Sequence, residues 1–312
     1  MVTVEREDVG PWEVVWLDNG VLRLGLVPAL GGRLLSLRFG GLELLWRNAS
    51  LVDERLRPVD GHMPASAAGS MGDWVNYGGD KTWPAPQGWD HSGQWAGPPD
   101  PVLDSGVYAV DVSGGSVTMT SGADPRTGLR LTRRVDLQPD SGSYRLDLTA
   151  TNTLDRPVRW ALWNVTQFPG DGEVSVSLAG RKAPEVVELV AGTGNPTFAY
   201  FGDHVVIPAQ DVVGKLGFPD ASGSLTYSGN GVTVTQRFTV DETAEYPDSD
   251  SRAEVWLEHP LSEPLAHLGN LDPPGRIVEC EILGPLTTLS PGASTHLAIE
   301  HDVGGFVQER PL

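Results

Sequence analysis

The feature that most restricts the fold of this chain is a two-residue rhythm. "SYRLDLTATNT" puts Tyr144, Leu146, Leu148 and Ala150 on one side and Arg145, Asp147, Thr149 and Thr151 on the other. "GVTVTQRFTV" sets Val232, Val234, Phe238 and Val240 against Thr233, Thr235, Arg237 and Thr239, and "TGLRLTRRVDL" alternates through Leu129, Leu131, Val135 and Leu137. "RIVECEIL" and "STHLAIEHDV" read as late strands. Successive side chains of a strand point to opposite faces, so a period of two marks half-buried strands. Helical periodicity is nearly absent. Only "SLVDERLR" (50–57) suits one or two helical turns, because Ser50 and Asp53 stand at capping-box spacing. The 38 Gly and 25 Pro cut the chain into short pieces. The expectation is an all-β protein, a large β-sandwich formed by one domain over residues 1–312.

Two stretches break the rhythm and read as loops: a long Trp-rich one at about 47–104, and a shorter one at 184–203. A long loop in a compact domain is usually functional. The first contains "NYGGDKTWPAPQGWDHSGQW" (76–95), which concentrates Tyr77, Trp83, Trp89 and Trp95 with Asp80, Lys81 and His91. Exposed Trp is costly unless it packs or binds something. Packing of the loop on itself, as a cap on the sandwich, is the structural alternative.

Charge excludes several functions. The formal net charge is −19, whereas nucleic-acid binding needs a cationic surface that displaces counterions. An anionic membrane surface is disfavoured for the same reason. No apolar run approaches the ~20 residues that span a bilayer, and "MVTVEREDVG" has acidic residues where a leader needs Lys or Arg. A cytoplasmic protein is expected. The single cysteine, Cys280, allows neither an intramolecular disulfide nor a Cys-based metal centre. Asp248 and Asp250 have a Ca²⁺-like spacing, but Ala253 and His259 stand where an EF-hand loop needs Gly and Glu. No nucleotide-binding glycine motif or zinc-protease motif is present. Neither metal nor cofactor is therefore expected.

Alternation assigns faces to the candidate residues. In "RIVECEIL", Val278, Cys280 and Ile282 face the core, and Glu279 and Glu281 share the other side, roughly 6.6–6.8 Å apart along the strand. Two shielded carboxylates raise at least one pKa; on a solvated face they would do nothing. In "SRAEVWLEHP", Glu254, Trp256 and Glu258 oppose Ala253, Val255 and Leu257. An indole beside carboxylates makes a floor for a sugar, whose C–H faces suit rings and whose hydroxyls suit carboxylates and amides. "RWALWNVTQF" adds Trp160 and Asn164 on one face, Trp163 and Gln167 on the other. Only one set can line a site, and the second pair is preferred. Of seven His, His91 is the leading acid candidate because it lies in the aromatic loop, followed by His62 and His259.

Three stretches together resemble the galactose mutarotase-like, or aldose 1-epimerase-like, superfamily: "LVPALGGRLLSLRFGGLELLW" (26–46), "VECEILGPLTTLSPGASTHLAIEHDV" (278–303), and "NYGGDKTWPAPQGW", which is similar to an uncharacterised branch. The resemblance implies a super-sandwich of two large antiparallel sheets, with a sugar site on one concave face under long loops. It implies anomer interconversion by a Glu base and a His acid, here Glu281 or Glu279 with His91. Trp83, Trp89 and Trp256 would form the platform, and Arg33, Tyr77, Asp80, Lys81, Trp163, Asn164, Gln167 and Glu254 would contact the ligand. The partner would be a small sugar or oligosaccharide. The chain lacks the family's usual mid-chain segment with the catalytic His, so two other readings stand beside it. One is a non-catalytic carbohydrate-binding protein. The other is a glycoside hydrolase or lyase with paired carboxylates, which hydrolysis needs at ~5–5.5 Å or ~6.5–9.5 Å.

Overall fold

A computed structural model describes residues 1–64, 69–88, 91, 93–180 and 184–305. Its strands form two antiparallel sheets, one of twelve strands and one of ten. The larger sheet begins with the N-terminal strands up to Arg33–Phe39. It continues through Asp80–Ala85, Val158–Pro169, Ile277–Leu283, Ala253–Glu258 and Gly214–Phe218, and ends at Val187–Ala191. The smaller sheet has Val232–Phe238, Ser294–Gly305, Ser143–Asn152 and Leu129–Leu137 at its centre. Among the described residues no helix exceeds four residues, and none is long and apolar enough to cross a membrane.

The alternating strands fold as their pattern requires. Ser143–Asn152 runs half-buried, buried, half-buried along its whole length. Its Leu146 and Leu148 join Ile299, Leu131 and Phe168 in the core between the sheets, where Phe168 stacks on Tyr227 at 4.4 Å between centroids. Past the exposed first strand, Thr3–Asp8, the strands Glu13–Asp18, Leu22–Val27 and Arg33–Phe39 are buried on both faces. Val15 and Leu17 of Glu13–Asp18 enter the inter-sheet core, while Val14 and Trp16 join Leu35, Val52, Leu56 and Tyr77 in a second cluster on the far side. That accounts for the unbroken apolar run "VVW".

A polar network crosses the middle of this core. Arg133 of the smaller sheet pairs with Asp80 of the larger at 2.5 Å, and neither side chain is exposed. Asp80 Oδ2 also accepts from Asn164 Nδ2 at 2.8 Å and Thr166 Oγ1 at 2.6 Å. Gln236 Nε2 donates to Thr166 Oγ1 at 2.8 Å and lies beside His301, which stacks on Tyr144. Burial pushes the His301 imidazole down to about 4.

Three sequence expectations are corrected. The stretch 47–104 is not loop throughout: Asp80–Ala85 is a fully buried strand near the centre of the larger sheet, paired with Val158–Pro169. Pro84 concealed it, since proline seldom occupies a central strand. The 184–203 stretch contains the strands Val187–Ala191 and Ala199–Phe201. Residues 50–57 form a turn rather than a helix. Asp53 Oδ1 accepts from the backbone N–H groups of Arg55 and Arg57, each at 2.8 Å, and Leu56 takes φ 60°. Asp side chains that bond nearby N–H groups favour turns over helix interiors.

Candidate functional site

Strand register builds a polar floor on the outer face of the larger sheet. Trp83 pairs with Trp163, and Trp163 with Leu283. In the next row Lys81 pairs with Val165, Val165 with Glu281, and Glu281 with Glu254. Gln167 pairs with Glu279, Glu279 with Trp256, and Trp256 with Lys215. Directly opposed residues share a face with Cβ atoms about 4.5–5.5 Å apart. Five strands thus bring three tryptophans, three glutamates and two lysines onto one surface.

Like charges directly opposed destabilise a sheet, and Glu254 faces Glu281 across strands. Lys215 resolves this conflict: its Nζ lies 2.5 Å from Glu254 and 2.8 Å from Glu281, and 4.4 Å from the centroid of the Trp163 ring. Burial disfavours the ammonium, but the attraction of Glu254 and Glu281 outweighs it, so the Lys215 pKa is raised. Burial lifts Glu254 well above the usual carboxylate range, with Lys215 opposing and Glu281 adding to the rise. Glu281 is raised chiefly by burial, and its Oε2 accepts from Trp163 Nε1 at 2.6 Å.

The second lysine serves Glu279. Lys81 Nζ is 3.3 Å from Glu279 Oε1, which also accepts from Gln167 Nε2. Burial lowers the Lys81 pKa, with Glu279 opposing. The same ammonium lies 4.8 Å from the Trp83 centroid and 5.4 Å from that of Trp74. Asp104 fixes these indoles, accepting from Trp83 Nε1 at 3.2 Å and Trp74 Nε1 at 3.0 Å. Arg33, buried behind them, donates to Asp104 at 2.7 Å.

Loops close over this floor. Met71, Trp74, Gln87 and Pro98 come from the Trp-rich stretch, and Leu271 from the segment before the Glu279 strand. Together with Trp83, Trp163, Trp256, Glu258, Glu279 and Glu281 they bound a cavity that opens to solvent. Ligand pockets are usually apolar with a few convergent polar groups, and this one has that character. Of its carboxyls, Glu279 is the more open, its side chain 10% exposed against 0% for Glu281. Glu258, at the end of the Trp256 strand, is 3% exposed. Burial, reinforced by repulsion from Glu279, pushes its pKa up to about 8. Trp256 Nε1 donates to Glu258 Oε2 at 3.3 Å, whereas Oε1 has no partner in the protein.

The structure sorts the sequence candidates. Trp83, Trp163, Trp256, Glu279 and Glu281 line the cavity; Lys81, Gln167 and Glu254 sit on the same face and hold those carboxyls or the lysine between them. Asp80 and Asn164 are corrected: alternation turns them inward, where they clamp Arg133 between the sheets. Arg33 is also corrected, since it is buried against Asp104 and does not border the cavity. Tyr77 packs in the second apolar cluster, with its hydroxyl 2.7 Å from His62 Nε2. His91 is exposed, its Nδ1 accepting from the N–H of Gly93, and it does not border the cavity. Trp89 lies outside the described residues.

Sequence reasoning missed four contributors. Glu258 was on the right face but not singled out, and Trp74 was only one of several loop indoles. Lys215, within "VGKLG", sits on an edge-side strand too short to show alternation. Asp104 carries no local signal. Among the described residues, no group of three or more His, Cys, Asp or Glu side chains could hold a metal ion.

The sandwich has the galactose mutarotase-like fold. A galactose mutarotase-like protein from Lactobacillus casei superposes with a TM-score of 0.58 at 14% identity, over 93% of this chain and 100% of that one. Galactose 1-epimerase from Lactobacillus acidophilus gives 0.55 at 12% identity, over 98% and 99%. A TPR-domain containing protein from Parabacteroides distasonis gives 0.59 at 13% identity, and there the chain, 96% covered, spans 50% of the other's length. At these identities the likeness is one of fold. No curated protein matches the sequence. Residues 13–300 match the family described as a domain of unknown function, DUF4380, and the chain belongs to that family.

Proposed function

We propose that the cavity binds a sugar and catalyses an aldose 1-epimerase-like interconversion of its anomers. The observation that carries this reading is the pairing of two differently equipped carboxyls in one cavity. Glu279 is placed as an acceptor, with Lys81 and Gln167 donating to it. Glu258 is pushed up to about 8 and so keeps its proton near neutral pH. Two titratable groups whose surroundings differ in this way suit base and acid roles. Glu279 takes the proton of the anomeric hydroxyl while Glu258 protonates the ring oxygen. The ring opens, C1 turns about its bond to C2, and the ring recloses with the roles reversed. Glu258 thus takes the part that the family resemblance gave to His91. The indoles of Trp83, Trp163 and Trp256 meet the C–H faces of the ring.

The test is relaxation of freshly dissolved α-glucose and α-galactose, followed by proton NMR. Acceleration over buffer is expected, with Glu279→Gln and Glu258→Gln each lowering kcat by about 10²–10⁴-fold. A rate equal to buffer across a panel of aldoses would remove the catalytic reading. A second reading, a sugar-binding protein without chemistry, draws support from the absence of any His among the described residues that line the cavity. It predicts saturable binding by calorimetry that survives Glu279→Gln, is lost in Trp83→Ala, and occurs without turnover.

A further inference from the structure

A second cavity adjoins the first. Met71, Trp74, Glu258 and Leu271 line both. Two polar atoms in its walls are left over by the protein. Asn76 is 4% exposed and its Oδ1 accepts from the N–H of Gly78 at 3.0 Å, but its Nδ2 has no partner. Glu258 is equally buried, and its Oε1 is unpaired too. Buried donors and acceptors without partners are rare because each forfeits its hydration. Both belong to side chains that line this cavity.

The chemistry of the walls selects the ligand. Asn48 and Asn76 supply amides, Glu258 and Asp272 supply carboxyls, and among the described residues no Lys, Arg or His lines the space. A phosphate or a sugar acid would meet carboxyls and no cation there. Hydroxyl groups, each both donor and acceptor, fit an amide donor and a carboxyl oxygen. The position of Trp74 matters as well. Its ring is tied to Asp104 and borders both cavities, so it stands where two linked rings would pass from one space to the other.

We infer that the second cavity is a subsite for a second neutral sugar ring. The physiological ligand is then a disaccharide or longer oligosaccharide, with its reducing-end ring over Glu279 and its next ring against Asn76. This rests on the sugar-binding reading of the first cavity and adds the size and charge of the ligand to it.

The experiment is calorimetric titration of the full chain with glucose, galactose, mannose and N-acetylglucosamine, with disaccharides built from them, and with glucose 6-phosphate. At least one disaccharide is expected to bind about tenfold or more tightly than its reducing-end monosaccharide, and the phosphate is expected to bind no better than glucose. Two variants address the subsite. Leu51→Trp fills the second cavity, which Leu51 lines. Asn76→Asp keeps the oxygen that holds Gly78 and removes the free N–H donor. In each, the ratio of disaccharide to monosaccharide affinity falls towards one, with the folded state checked by thermal melting. Monosaccharides that bind as tightly as every disaccharide would overturn the subsite alone, as would an advantage that survives both variants. No binding by any sugar would overturn the sugar reading and the subsite with it.

Discussion

Glu258 concentrates the consequences of burial in a single side chain. Its carboxyl is pushed from 4.5 to about 8 by removal from water, with Glu279 adding to the rise. Between those values the folded chain holds a proton that the unfolded chain has lost. Stability from this group is therefore fully present below about 4.5 and is lost as pH rises through about 8. Thermal melts of the wild type are expected to fall across this window, and Glu258→Gln is expected to remove one proton's share of the slope, up to about 1.4 kcal/mol per pH unit. A slope unchanged by the substitution would show that Glu258 is already ionised at neutral pH. As the acid of the proposed reaction it also makes the rate fall as pH rises through about 8.

At the scale of the strand, register decides which charges meet. Glu254 and Glu281 oppose each other because Ala253–Glu258 pairs with Ile277–Leu283 in that alignment, and Lys215 is the cation between them. Lys215→Met leaves two buried carboxyls without a counter-charge. The expected loss is about 3–5 kcal/mol at neutral pH, shrinking at about pH 5 as the carboxyls take up protons. Urea denaturation at the two pH values checks this, and equal losses at both would contradict the pairing. Alternation alone predicted the faces of these two strands, and with them Glu254, Trp256, Glu279 and Glu281. It was less informative elsewhere, for physical reasons. Asp80–Ala85 is buried on both faces and contains a proline, so it shows no half-buried rhythm. A further signal was present but unread. Arg133, Gln236 and His301 each interrupt the apolar face of a strand, and all are buried. A polar residue on a core face demands a partner on the opposing sheet, and that partner set includes Asp80. The roof over the cavity comes from loops and residues distant in sequence, for which periodicity carries no information.

For the whole molecule, the Asp80 network is a polar tie across the largely apolar interface between the sheets. Removing one member of a buried ion pair strands the other, so Asp80→Ala is expected to cost about 3–5 kcal/mol, read as a lower urea midpoint with both sheets melting in one transition. A loss below about 1 kcal/mol would show that Arg133 is satisfied without it. Asp80 and Lys81 are consecutive residues pointing to opposite sides of one strand, the first into the clamp between sheets and the second towards Glu279. Architecture and chemistry are therefore wired to neighbouring peptides. Slippage of one layer past the other would drag the ammonium from the carboxylate it serves, so injuries to the interior are expected to surface as altered ligand affinity well before the chain unravels.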